Sequence, residues 1–132
     1  MNWIAIAVGA LIGGGLRYVF EVTIPTPASL PLGTLMVNLI GAFLLGFIYY
    51  AAEQKDWPAW MRLGLGTGMI GAFTTFSTFC LELVELSHKN LMACFGYGIG
   101  SLLGGVLFVM IGEWIAGTLL DHKAIRAEEL YS

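Results

Sequence analysis

The sequence predicts an all-α membrane protein of four transmembrane helices, and three observations carry that prediction. Of the 132 residues, 58% are hydrophobic and only 11% are charged, far from the balance of a soluble domain of this size. The apolar residues gather in four stretches, at about residues 3–20, 32–52, 60–86 and 92–120, each near the roughly 20 residues a helix needs to cross the hydrocarbon core. These stretches are continuous and rich in Gly, Ala, Leu and Ile, whereas barrel strands are about half as long and alternate polar with apolar. The helices occupy nearly the whole of 1–132, which reads as one transmembrane domain with no soluble domain inserted.

Each helix has its own signals. No Lys or Arg precedes the first stretch and no convincing small-residue cleavage site follows it, so it is expected to be a mature helix rather than a signal peptide. Pro25 and Pro27, within Thr23–Ser29, separate it from the second helix. Glu53–Pro58 divides the second from the third, and Ser87–Asn90 the third from the fourth. The tail Asp121–Ser132 mixes charged and apolar residues and is expected to fray into water. Gly9 and Gly13, and Gly96, Gly100 and Gly104, fall at spacings of four, which places small residues on one helix face. They read as packing seams, within the chain or between two copies.

Several function classes drop out. Cys80 and Cys94 lack metal-ligand spacing and read as small core residues, while His88 and His122 fall in polar segments. There is no phosphate loop, metal pattern or nucleophile elbow, and the net charge of −3 disfavours nucleic acid. No enzyme is expected.

What remains is polar chemistry at bilayer depth. Asn38 stands within Leu35–Ile40; Thr74, Thr75, Ser77 and Thr78 lie in the third stretch; Tyr97 and Ser101 lie one turn apart in the fourth. Intramembrane polar groups face protein or a water-filled path. All of these side chains donate hydrogen bonds and none is a carboxylate; Glu82 and Glu85 come late in their helix. A donor-rich, carboxylate-poor interior favours an anion. The bland alternatives stay open: Asn38 as an interhelical packing bond, and the hydroxyls bonded to their own helix backbone. Phe73, Phe76 and Phe79, spaced by three, would form one slanted stripe on a continuous helix. Their ring edges are electropositive and can solvate an anion, although a lipid-facing stripe is the simpler reading. Gly64, Gly66, Gly68 and Gly71, followed by Thr74 and Thr75, supply flexible backbone and partners for a helix break, whose freed carbonyls can hold a cation.

These residues resemble a known family, the small fluoride channels called Fluc or CrcB. Gly33–Gly46 looks like the family's second-helix signature, Thr74-Thr75-Phe76-Ser77-Thr78-Phe79 like its third, and Gly13-Gly14-Gly15-Leu16-Arg17-Tyr18 is similar to its first-helix run. Ala72-Phe73 departs from the Gly-Leu common there. The resemblance implies an antiparallel homodimer with the third helix broken near its middle. It further implies two fluoride pores and a structural sodium ion at the interface, held by main-chain oxygens of Gly71 and Thr74. It assigns the fluoride pore to Asn38, Phe76, Phe79, Ser77, Thr78 and Ser101 with Tyr97 in support, and places Arg17 at a pore vestibule. Arg17 also reads as a snorkelling helix-end residue. The implied role is passive fluoride export across the cytoplasmic membrane, protecting against fluoride toxicity.

Two rivals stand beside it. Small multidrug exporters are also short four-helix dimers but rely on a carboxylate in the middle of the first helix, where this chain reads Ile6–Leu11. A purely structural membrane subunit would use the same polar groups only to bind helices together. Orientation is weakly coded: Lys55, Arg62, Lys123 and Arg126 fall on one side, Lys89 and Arg17 on the other, so insertion both ways is permitted.

Overall fold

The protein is described from a computed structural model. It describes residues 1–24 and 30–131, with side chains through 120. Most of the Thr23–Ser29 connection, and the side chains of His122, Lys123 and Arg126, therefore lie outside the described residues.

Helix α1 spans Asn2–Thr23 and α2 spans Leu32–Gln54. The third stretch is assembled from pieces: α3 at Ala59–Arg62, a π-helical segment at Leu63–Ile70, α4 at Gly71–Phe73 and α5 at Ser77–Lys89. Helix α6 runs Leu91–Tyr131, so its backbone stays helical through the tail expected to fray. Four stretches, Asn2–Thr23, Leu32–Gln54, Ala59–Lys89 and Leu91–Leu120, are long and apolar enough to cross a membrane. The chain is a multi-pass, all-helical membrane protein.

Glycine sets the packing. Gly9 and Gly13 are buried, and a methyl at either would run into the main chain at Gly64 or Met69. On the other side of this contact Gly64 meets Ala5 and Gly68 meets Ile6. The backbones of α1 and the π segment thus lie in direct contact and run parallel, as small residues allow in lipid. Gly64, Gly66 and Gly68 are all buried within the π segment, and Tyr49 of α2 packs on Gly66. On the far side, α2 and α6 form the most extensive helix pair. They also run parallel: Leu39 meets Gly104, Phe43 and Phe47 meet Gly112, and Tyr50 meets Gly117.

The glycines spaced by four at Gly96, Gly100 and Gly104 do not all pack within the chain. Only Gly104 has a neighbour, Leu39, whereas a methyl at Gly96 or Gly100 would meet nothing within 4 Å. Tyr97 turns inward, and residues 96 and 100 precede Tyr97 and Ser101 by one position, about 100° around the helix. The inward seam of α6 is instead Gly104, Gly112 and Gly117.

All four tryptophans, Trp3, Trp57, Trp60 and Trp114, fall at one end of the bundle, beside the chain's N-terminus and the α2–α3 link. That is where indoles settle at a membrane surface. Asp56 closes the link with a φ of 47°, a conformation Asp tolerates better than most residues.

Candidate functional site

The site begins where helical geometry lapses inside the third stretch. Thr74 is extended, with φ −76° and ψ 158°, and Phe76 is back in the helical region before α5 begins at Ser77. No backbone hydrogen bond crosses from Phe76 or Ser77 back to Ala72 or Phe73. The lapse leaves main-chain groups seeking partners at a depth where water is scarce.

Asn38 supplies two of those partners. Its Nδ2 donates to the Thr75 carbonyl at 2.9 Å, and its Oδ1 accepts from the Thr75 N–H at 2.8 Å. One primary-amide hydrogen remains for another acceptor. Both readings offered for Asn38 are thus available at once, because the bond that fixes α2 to the third stretch uses only half of its donor capacity. The Thr75 side chain caps α5: its hydroxyl accepts from Thr78 N–H at 3.3 Å, donates to Thr78 Oγ1 at 3.0 Å, and lies 3.4 Å from Ser77 Oγ. Thr74 shows the bland behaviour, its hydroxyl donating to the Ile70 carbonyl four residues back at 3.1 Å.

The expected single stripe of phenylalanines is not formed. With the helix interrupted between them, Phe73 turns under α1 and meets Phe20 edge-on at 5.6 Å, 6% exposed. Phe79 is buried against Tyr97 at 5.3 Å, and Phe76 stands 6.0 Å from Phe79 with 76% of its surface exposed. Only Phe76 and Phe79 share a surface. The physical reason is that a spacing of three keeps a common face only while helical turns continue.

Arg17 reaches the same place from α1. Its Nη1 donates to the Thr74 carbonyl at 3.4 Å, and its Nε lies 3.7 Å from Glu21 Oε1. The side chain bends toward the helix interruption instead of extending freely to the surface.

Farther along α5 sits the residue that sequence reasoning missed. Glu82 accepts from Thr34 Oγ1 at 2.6 Å and from the Tyr97 hydroxyl at 2.7 Å, joining α2, α5 and α6. A signal was present: Phe79, Glu82 and Leu86 follow i, i+3, i+7, which puts the carboxylate on the buried stripe of α5. Its place late in the third stretch hid this. Tyr97→Phe removes one of its two donors and keeps the ring against Phe79. The expected cost is about 1 kcal/mol, read as a modestly lower melting temperature in detergent.

Ser101 completes the polar set, four residues beyond Tyr97 on α6. Its hydroxyl is buried and has no hydrogen-bond partner among the described residues. Helical serines usually satisfy themselves on the preceding turn, and a buried hydroxyl left alone calls for an explanation. A cavity of about 470 Å³ opens beside Asn38, Gly71, Thr74, Thr75 and Phe76, floored by Gly41, Ala42 and Leu45 of α2 and by Gly105, Val106 and Val109 of α6. Cys80 and Cys94 pack on the Phe79–Tyr97 cluster as free thiols, in the core role expected of them.

Known proteins are similar to this chain along most of its length. Residues 4–113 match the family described as CrcB-like protein, Camphor Resistance (CrcB). The chain is 42% identical over 120 residues to the fluoride-specific ion channel FluC 2 of Staphylococcus haemolyticus, covering 89% of this chain and 98% of that one. It is 40% identical over 122 residues to FluC of Hydrogenobaculum sp., covering 90% and 100%, and 39% identical over 116 residues to FluC of Ignicoccus hospitalis, covering 87% and 94%. These relatives are named as ion channels, not enzymes. A match over most of the chain, with Asn38 and the Thr74–Phe79 run inside it, places this protein in the CrcB family.

Proposed function

We propose that the protein is a fluoride-selective channel that lets fluoride leave the cell passively across the cytoplasmic membrane. The observation that carries this reading is the orphaned Ser101 hydroxyl. It lies on the inward face of α6 with Tyr97, in a bundle whose other pore candidates are donors or ring edges. Fluoride is small and strongly hydrated, so a path must replace its water shell with closely spaced donors. The spare Asn38 amide hydrogen, the Ser101, Ser77 and Thr78 hydroxyls, and the ring edges of Phe76 and Phe79 are the donors this chain would bring to such a path. Tyr97 already donates to Glu82, so its role is to hold Phe79 and the wall in place. A chloride ion, larger and less demanding of short contacts, gains less from these donors. The names of the relatives point to the same anion.

The conducting unit in this reading is an antiparallel homodimer with two pores, the third transmembrane helix of each copy broken near its middle. Three features support it. Phe76 is 76% exposed in the single chain, the cavity beside the interruption is open, and Gly96 and Gly100 have free faces. A second copy would cover them. A structural sodium ion between the two interruptions fits the chemistry of the residues present. The Gly71 carbonyl lacks its helical donor because the Thr75 N–H goes to Asn38, and hard cations prefer oxygen. Thr74 would contribute its carbonyl beside the Arg17 guanidinium. The bound cation would supply positive charge that holds four facing carbonyl groups together. Membrane lipid is the other partner.

The test is fluoride efflux from liposomes carrying the purified protein, followed with a fluoride electrode after a potassium ionophore is added. Fast release of fluoride with little release of chloride is expected, and Phe76→Ile and Phe79→Ile should each abolish release while the protein stays dimeric. Trapped fluoride with folded, dimeric wild-type protein would overturn the reading. Glu82, a carboxylate at the centre of a polar cluster, gives a proton-coupled exporter a specific foothold. Fluoride release that requires an imposed pH gradient would favour that alternative.

A further inference from the structure

A second polar cavity, of about 500 Å³, opens on the flank of the bundle between α2 and α6, lined by Tyr50, Met110, Glu113, Trp114, Gly117 and Thr118. It lies away from the interruption and shares no lining residue with the first cavity. We propose that it binds the primary ammonium of an ethanolamine phospholipid headgroup, with the acyl chains lying along α6. The proposal does not depend on the conducted ion.

Depth comes first. Glu113 belongs to the spanning stretch Leu91–Leu120. Tyr50, which rests on Gly117, stands four residues before the end of α2, or about 6 Å along the axis at 1.5 Å per residue. The tryptophans mark this end of the bundle as a membrane surface. The cavity therefore lies where headgroups meet acyl chains.

Charge comes second. Glu113 is exposed on the flank of α6 at the edge of an apolar span, where a carboxylate favours a cation beside it. Residues 109, 110, 116 and 117, one turn to either side of Glu113, are Val, Met, Ala and Gly. Facing it, α2 presents Phe43, Phe47 and Tyr50, and the one ion pair among the described residues, Arg17–Glu21, is at the opposite end. Among the described residues no side-chain cation lies within ion-pair distance of Glu113.

The lining chooses among cations. Glu113, the Tyr50 hydroxyl and the Thr118 hydroxyl oxygen offer three acceptors, and Thr118 already donates its own proton to the Trp114 carbonyl at 2.9 Å. A primary ammonium brings three N–H donors to match. A choline headgroup brings none and would rely on the indole and phenol faces alone. Trp114, 71% exposed, is placed to cover the headgroup from the lipid side.

The experiment mixes detergent-solubilised full-length protein with equimolar dioleoyl phosphatidylethanolamine and phosphatidylcholine and counts retained lipid by native mass spectrometry. Wild type is expected to retain ethanolamine lipid in about fivefold excess, the scale of one charge-assisted hydrogen bond at a partly wet site. Glu113→Gln should bring the ratio to near parity with phosphatidylcholine retention unchanged. Tyr50→Phe, which keeps the ring and removes one acceptor, should give an intermediate ratio and decides the matter if Glu113→Gln does not fold. Equal retention by wild type, or an unaltered preference in either folded variant, would overturn the proposal. Displacement of the lipid by millimolar free ethanolamine would reassign the site to soluble amines and overturn the lipid source.

Discussion

Asn38→Ala is expected to damage both the fold and the flux. The substitution leaves the Thr75 N–H and the Thr75 carbonyl without their partners at 2.8 and 2.9 Å. Each buried main-chain group left unsatisfied costs about 1–3 kcal/mol, and relaxation in lipid trims that, so a loss of roughly 2–4 kcal/mol is expected. The measurement is the shift of thermal unfolding in detergent. On the proposed pathway, the same change removes the spare amide hydrogen and loosens the segment carrying Phe76 and Ser77. Fluoride release should then fall about hundredfold or more, since each 1.4 kcal/mol is tenfold in rate. Asn38→Asp separates the two roles. It keeps an acceptor for the Thr75 N–H but sets an oxygen against the Thr75 carbonyl, so it should retain part of the stability and none of the flux. A variant with full stability and full flux would remove Asn38 from both accounts.

Gly13→Val is expected to prevent folding of the bundle outright. Even a single methyl at this position would strike the Met69 main-chain oxygen, and backbone cannot swing aside as the end of a side chain can. Overpacking a tight contact costs about 1–3 kcal/mol, and more where backbone must move. Two further methyls at Gly13 would force α1 away from the π segment, taking Arg17 and Phe20 from Thr74 and Phe73. Gly15→Val is the matched control, with nothing within 4 Å of its added carbon. Size-exclusion profiles in mild detergent should show aggregation for the first and a wild-type peak for the second. Equal behaviour of the two would mean that the contact between α1 and the π segment is not essential.

The contrast between Gly13 and Gly15 shows what one-dimensional spacing carries. Gly9 and Gly13 were legible as a seam because both sit on one helix face and lipid gives close-packed backbones few other routes to association. Gly96 and Gly100 have the same spacing, yet the face they share is empty in the single chain. The partner of a small-residue face cannot be deduced from the helix that bears it. Phe73 makes the same point for aromatics: a spacing of three implied one stripe, and the lapse at Thr74 sent this ring to Phe20. Glu82 was overlooked for a related reason. Its distance along the third stretch suggested a helix end, while its partners Thr34 and Tyr97 come from two other helices.

By itself the sequence determined the class of molecule. Length of apolar run and scarcity of charge answer to bilayer thickness and desolvation, which act on each segment separately. It also determined which residues were worth watching, since Asn38, the Thr74–Phe79 run, Tyr97 and Ser101 stand out against lipid wherever their neighbours lie. The tertiary structure alone decided how these groups are used. Only with the helices assembled does Asn38 bind the Thr75 backbone beside a cavity, Arg17 reach Thr74, Tyr97 donate to Glu82, and the Ser101 hydroxyl find no partner among the described residues. Hydrogen bonds are short and directional, so their partners are fixed by where helices from distant parts of the chain come to rest.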